Sequence, residues 1–170
     1  MILEDVLIPN LRVVFCGTAV SSQSDIKKSY YAGAGNKFYP ILNKIKLTPR
    51  KLQPSDYKSL IEYGIGLSDL VKTKSGADKT LKKIDFDIEE FELKIIKFMP
   101  ELVCFNGKKA AAAYLYKNPV KTGLIDYGMQ NGTIGKTKLF VAPSTSGRAS
   151  GFWDENHWYV LAEWVKNQKT

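Results

Sequence analysis

The chain is poor in the residues that hold metals and make covalent cross-links: it has one histidine, His157, and two cysteines, Cys16 and Cys104, among 170 residues. Both cysteines stand inside apolar runs, "RVVFC" and "ELVCFNG", where a free thiol behaves as a small core hydrophobe. With no Cys/His cluster at zinc-like spacing, no metal and no disulfide is expected. No stretch approaches the roughly 18 consecutive apolar residues that a membrane span needs. The opening "MILEDVLIPN" carries acids where a secretory leader carries lysine or arginine. A cytoplasmic protein without a membrane partner is therefore expected. Also missing are a Walker A sequence and a G-x-G-x-x-G that opens a helix after a strand. "GAGNKF" supplies only half of such a fingerprint, in the wrong context, so no cofactor is expected.

Acidic residues are scarce relative to basic ones. Lys and Arg number 25 against 17 Asp and Glu, a formal net charge of +8 and a sequence pI near 9.3. That balance suits a polyanionic partner, and it equally suits a solvated lysine face; charge alone does not separate the two. A length of 170 residues is enough for one domain, residues 1–170, to bury a core without staples, and a monomer is expected.

Short β-rich runs alternate with longer stretches of helical period, the pattern of an α/β layer fold. The strand candidates are Leu11 to Cys16, Ile65 to Leu67, Leu102 to Phe105 and Lys138 to Ala142. Three are near-continuous apolar runs, as in parallel strands covered on both faces. Helices are predicted over Asn36 to Lys46, Ser55 to Tyr63 after Pro54, Phe86 to Phe98, Lys108 to Lys117, and Asp154 to Lys166 with Asp154 as cap. Lys72 to Asp85, "KTKSGADKTLKKID", reads as a polar surface loop. In a parallel sheet, ligands bind beyond the carboxyl ends of the strands. That points to "GTAVSSQS", "GLSDLV", "NGKKAA" and "PSTSGRASG", loops of small residues whose backbone N–H groups can approach a ligand.

Taken in order, "LRVVFCG" with its small-residue loop, "YYAGAGNKFY", "GIGLSDLV" and "PSTSGRAS" resemble the mismatch-specific uracil/thymine-DNA glycosylase branch of the uracil-DNA glycosylase superfamily. "LTPRKLQPSDYKSLIEYGIGLSDLV", "FNGKKA" and "YGMQNGTIGKTKLFVAPSTSG" extend the resemblance from about Leu7 to Trp164. It implies a three-layer α/β/α sandwich on a central, mostly parallel sheet of four to five strands, with a DNA-facing cleft at the strand carboxyl ends.

The resemblance also implies site residues. In the family the first loop reads Gly-Ile-Asn-Pro-Gly, and its Asn positions the attacking water. Here Gly17, Thr18, Ala19, Val20 and Ser21 occupy those places, and Ala19 cannot activate water. The family's Asn-Pro-Ser-Gly corresponds to Ser144, Thr145, Ser146 and Gly147, again without Asn. Cleaving an N-glycosidic bond through an oxocarbenium-like sugar calls for an acceptor near the anomeric carbon and donors for the departing base. Asp69 is the first candidate for water activation and Asp25 the second. A turn aspartate is ordinarily a cap or a solvated residue. Tyr31 aligns with the aromatic that stacks on the flipped base, against a plain reading as core tyrosine, and Tyr30 is expected to face elsewhere. Backbone groups of Thr18 and Ala19 are expected near the base edge, and Asn36 either binds the base or holds its loop. Arg148 takes the position that fills the gap left by a flipped nucleotide, with Ser144, Ser146 and Gly147 contacting phosphate.

The expected activity is monofunctional release of uracil from DNA, leaving an abasic site, with no cofactor and with uracil-containing or related damaged DNA as partner. A damage-recognition protein that binds without efficient hydrolysis is the alternative, and an α/β hydrolase acting on a free nucleoside or other small molecule is the third reading.

Overall fold

The computed structural model describes residues 1–77 and 80–167. Five strands form one sheet: β1 (Val13–Gly17), β2 (Ile65–Asp69), β3 (Leu102–Asn106), β4 (Gly128–Ile134) and β5 (Thr137–Ala142), in the order β2-β1-β3-β5-β4. The first four neighbours in that order run parallel, and β4 is an antiparallel edge paired with β5. The α-helices are α1 (Ser22–Lys27), α2 (Phe38–Lys44), α3 (Ile88–Phe98), α4 (Lys108–Tyr116) and α5 (Asn156–Asn167).

Alternation along the buried strands builds two cores. Val13 and Phe15 of β1 face a cluster with Phe38 and Leu42 of α2, Leu60, and Trp158 and Leu161 of α5. Val14 and Cys16 face the opposite cluster, with Phe91 and Ile95 of α3 and four consecutive alanines, Ala110 to Ala113, of α4. Successive strand residues point to opposite faces, so a run without polar residues is what a strand covered on both sides requires. The expected three-layer sandwich with a mostly parallel sheet is the observed architecture. Both cysteines are free and fully buried. Among the described residues, no helix is long and apolar enough to cross a membrane.

The differences from expectation lie in polar segments. Strand β4, "GMQNGTI", is largely exposed, pairs along one edge only and carries an irregularity between Met129 and Thr133, so it lacks the apolar signature of its neighbours. The short α1, "SQSDIK", has only Ile26 as a large apolar residue, and it is exposed; it forms on a Ser21 cap whose Oγ accepts from Ser24 N at 3.1 Å. Pro54–Tyr63 winds as a 3₁₀ helix rather than an α-helix. The Lys72 to Asp85 segment is not uniformly a surface loop: the Lys72 side chain is 11% exposed, because two carboxylates receive it. Part of that segment, residues 78 and 79, lies outside the described residues.

One glycine positions the N-terminal segment against the sheet. Val6 pairs with Leu67 of β2 through two backbone hydrogen bonds of 2.9 and 3.0 Å. The crossing is so close that a Cβ on Gly66 would lie 2.5 Å from the Val6 carbonyl oxygen. Only glycine admits that approach, and its consequence is that Asp5 reaches the carboxyl end of β2.

Candidate active site

The parallel register brings β1 and β2 to an end together, with Gly17 opposite Asp69. Asp69 is 5% exposed, and its carboxylate is built into the sheet's edge rather than waving from a turn. A Cβ on Gly17 would stand 3.6 Å from Asp69 Oδ1 and 3.8 Å from the Tyr31 hydroxyl oxygen. The carboxylate and the phenol thus converge above the same glycine.

Tyr31 is held there at a conformational cost. Its φ of 54° is in the left-handed region, a rare setting for a bulky side chain. The strained turn sends the ring onto Phe38, with centroids 4.0 Å apart and planes 27° apart, and sets its hydroxyl near the Asn106 side chain. Burial, reinforced by the Asp69 charge, pushes this phenol's pKa well up, so it remains a neutral hydrogen-bonding group. Tyr31 is half-buried.

Asn106 ends β3 and locks the neighbouring loop in place. Its Nδ2 donates to Thr145 Oγ1 at 3.0 Å and its Oδ1 accepts from Thr145 N at 3.0 Å. Thr145 is 1% exposed. The same loop joins the Tyr31 segment, since Lys37 N donates to Thr145 O at 2.9 Å and a Cβ on Gly147 would be 3.4 Å from the carbonyls of Ala34 and Gly35.

Beneath Asp69 lies a compact ionic cluster. Lys72 Nζ donates to Asp69 Oδ2 at 3.1 Å, to Asp5 Oδ1 at 2.9 Å and to the Tyr30 hydroxyl at 3.0 Å. Asp5 also accepts from Ser68 Oγ at 2.8 Å and, through Oδ2, from Lys94 Nζ of α3 at 2.8 Å. The Tyr30 hydroxyl stands near the Asp69 carboxylate and favours its ionised form. Burial raises the pKa of Asp69 above the usual aspartate value; the Lys72 charge, its hydrogen bond and the Tyr30 hydroxyl oppose that rise without cancelling it. For Lys72 burial works against the charge, but Asp69 and Asp5 outweigh it and its pKa is raised.

The family model for the "Uracil DNA glycosylase superfamily" matches residues 5–165. The chain belongs to the uracil DNA glycosylase superfamily. A solution NMR structure from Methanosarcina acetivorans, described as a "putative Uracil DNA glycosylase", superposes with a TM-score of 0.62 at 21% identity, over 97% of this chain and 93% of that one. At that identity the likeness is one of fold.

Within this glycosylase-superfamily chain, the remaining candidates separate by what holds them. Thr18 is buried and its carbonyl accepts from Val71 N at 2.8 Å, tying the loop after β1 to the loop after β2. Ala19, half-exposed, brings only a methyl group. Asn36 caps its own turn: Oδ1 accepts from Phe38 N at 3.0 Å. Asp25 is committed on α1, where it accepts from Lys28 Nζ at 2.7 Å and Ser75 Oγ at 3.0 Å; those bonds, that from Lys28 foremost, lower its pKa. Ser144 Oγ accepts from Ser146 N at 3.2 Å and Ser146 Oγ from Arg148 N at 3.3 Å, shaping a turn on which Gly147 and Arg148 are exposed. Lys108 lies over the Tyr127 ring at 4.4 Å and Lys37 over Trp153 at 5.6 Å.

Four residues absent from the sequence candidates complete the site: Asp5, Tyr30, Lys72 and Asn106. Lys72 was detectable as the residue three places beyond Asp69, and Asn106 as the polar residue ending an apolar strand. Asp5 belongs here only through the Gly66 crossing, which has no local signature.

Proposed function

We propose that the protein is a monofunctional uracil-DNA glycosylase of the mismatch-specific branch, releasing uracil by water attack and leaving an abasic site. The observation that carries this reading is the buried Asp69 carboxylate at the carboxyl edge of the sheet, converging with Tyr31 above Gly17. It compensates for Ala19, which stands where relatives of this kind carry a water-positioning Asn.

In this reading the nucleotide leaves the duplex, at a cost of a few kcal/mol in stacking and pairing, and uracil seats against the face of Tyr31 turned away from Phe38. Asp69 orients a water at the anomeric carbon. The carbon–nitrogen bond breaks with its electron pair leaving on the base, the water oxygen bonds to the sugar, and its proton passes to Asp69. Backbone N–H groups of the loop after β1 stabilise the uracil anion. A raised carboxylate pKa makes Asp69 a stronger base than a solvated aspartate, provided the pH keeps it ionised. Lys72, held protonated by two carboxylates, is unsuited to be an amine nucleophile, which favours water over a covalent lysine intermediate. Arg148 fills the vacated position in the duplex.

The test is single-turnover release of free uracil from U·G and U·A duplexes and from single strands, comparing wild type with Asp69→Asn. Release by wild type that drops about 10²- to 10⁴-fold in the variant, at unchanged DNA affinity, is expected for loss of a general base. Duplex binding without release would instead identify a recognition protein, and no DNA binding at low salt would favour a small-molecule hydrolase.

A further inference from the structure

Lys72 is the unusual member of the cluster below Asp69. An ammonium has three donors and no acceptor, and each of the three finds an oxygen: Asp69 Oδ2, Asp5 Oδ1 and the Tyr30 hydroxyl, at 2.9 to 3.1 Å. The two side chains of the Lys72–Asp69 pair are 11% and 5% exposed, so little solvent screens the interaction. One oxygen of Asp69 is thereby turned inward, and the other, Oδ1, lies towards Gly17 and Tyr31. Asp5 in turn is fixed by Ser68, by Lys94 and by the strand-like crossing at Val6.

We propose that Lys72, clamped by Asp5, is the positioning residue that selects which oxygen of Asp69 faces Gly17 and Tyr31 and sets the pH at which that carboxylate becomes a base. The inference rests on the proposed role of Asp69. The groups facing that carboxylate are Lys72 from the loop after β2, Tyr30 and Tyr31 from the segment before α2, Cys16 from β1 and Asp5 from the N-terminal segment, with Lys94 of α3 behind Asp5. Of these, only Lys72 brings a positive charge into direct contact with Asp69. Burial penalises the ionised carboxylate, and an adjacent cation offsets the penalty. The cluster therefore has two opposing controls: Lys72 favours ionised Asp69, and Asp5 disfavours it by like charge while holding Lys72 in place.

Those controls give opposite signs, which a merely structural role does not. In Lys72→Met the acid limb of the single-turnover rate moves to higher pH and the rate at neutral pH falls about tenfold or more, as expected for loss of a directly opposed charge. In Asp5→Asn the amide oxygen still accepts from Lys72 and the negative charge is gone, so the limb moves to lower pH. Lys72→Arg keeps the charge and restores the limb towards wild type. The ¹³C titration of the Asp69 carboxyl carbon is followed in the same proteins and needs no activity. Shifts upward in Lys72→Met and downward in Asp5→Asn support the inference. A uniform loss of rate at all pH values with an unmoved carboxyl titration overturns it. Should Lys72→Met fail to fold, the sign of the Asp5→Asn shift decides. Should wild type release no uracil, the proposed activity fails, while the carboxyl titration still decides whether Lys72 governs Asp69.

Discussion

Gly17 and Asp69 sit opposite each other on the last rung of the β1–β2 pairing, and a methyl group on Gly17 would touch the carboxylate. A Cβ there meets Asp69 Oδ1 at 3.6 Å and the Tyr31 hydroxyl at 3.8 Å, ordinary van der Waals distances, and Gly17 is not among the residues with positive φ. Gly17→Ala is therefore expected to fold normally and to gain about 0.4–1 kcal/mol by restricting the unfolded chain. Its methyl occupies the space between base and phenol, so uracil release should fall by roughly 10- to 100-fold, the scale of a small misplacement of reacting groups. Urea unfolding and single-turnover kinetics on the same preparation check the pair of outcomes; a variant that is both destabilised and inactive would show that the glycine serves the fold instead.

In its proposed role, Asp69 is expected to couple activity and stability in opposite directions along the pH axis. Burial raises its pKa above the unfolded value despite Lys72, so the rate of release should climb with pH through an acid limb above the ordinary aspartate range near ~4. The stability sign follows from linkage: a group whose folded pKa is raised contributes stability that is present below the unfolded pKa and lost as pH rises through the folded one. Relative to Asp69→Asn, wild type is thus expected to lose stability on going from acid towards neutral pH, over the same interval in which it gains activity. Urea titrations of both proteins at a series of pH values measure that difference, and parallel curves would contradict it.

How much of this was readable beforehand depends on whether chemistry followed local sequence or long-range contact. Strands β1, β3 and β5 were legible because burial on both faces demands unbroken apolar runs, and their carboxyl ends led to the loops around Asp69. Strand β4 was not, since an exposed edge tolerates "MQNGT". Asp69 and Tyr31 could be singled out from their loops and from resemblance. The loop "GTAVSSQS" was read for backbone groups that approach a ligand; two of its serine side chains serve the fold instead, Ser21 as the cap of α1 and Ser24 by accepting from Ala32 N at 3.0 Å to pin the turn carrying Tyr31. Asp5 lies 64 residues from Asp69 in sequence, and only the Val6–Leu67 crossing brings them to one lysine.

The Asn106–Thr145 pair is expected to carry measurable stability, because Thr145 is buried, Asn106 is half-buried and two hydrogen bonds join them. Thr145→Val keeps the shape and deletes the hydroxyl, leaving Asn106 Nδ2 without that acceptor at a cost of about 1–3 kcal/mol. Asn106→Ala removes both bonds and should cost more. Because the Thr145 loop also receives Lys37 N, both variants should weaken substrate binding before chemistry, raising KM more than they lower kcat. A fall in kcat at constant KM would assign Asn106 a more direct part.

Substitution of Arg148 offers a test that separates duplex handling from base hydrolysis. It is exposed on a turn shaped by Ser144 and Ser146, far along the chain from Asp69 and attached to the site through Gly147 and Thr145. If its guanidinium fills the vacancy of a flipped nucleotide, the benefit exists only where a helix has a vacancy to fill. Arg148→Ala should then slow release from duplexes about tenfold and leave release from single strands unchanged, with stability untouched. Arg148→Lys preserves charge but not the planar group that stacks between bases, so it should resemble alanine in rate while retaining the salt dependence of binding expected from phosphate neutralisation. Equal losses on both substrates, restored by lysine, would make Arg148 a phosphate contact and move the wedge to another residue of the turn.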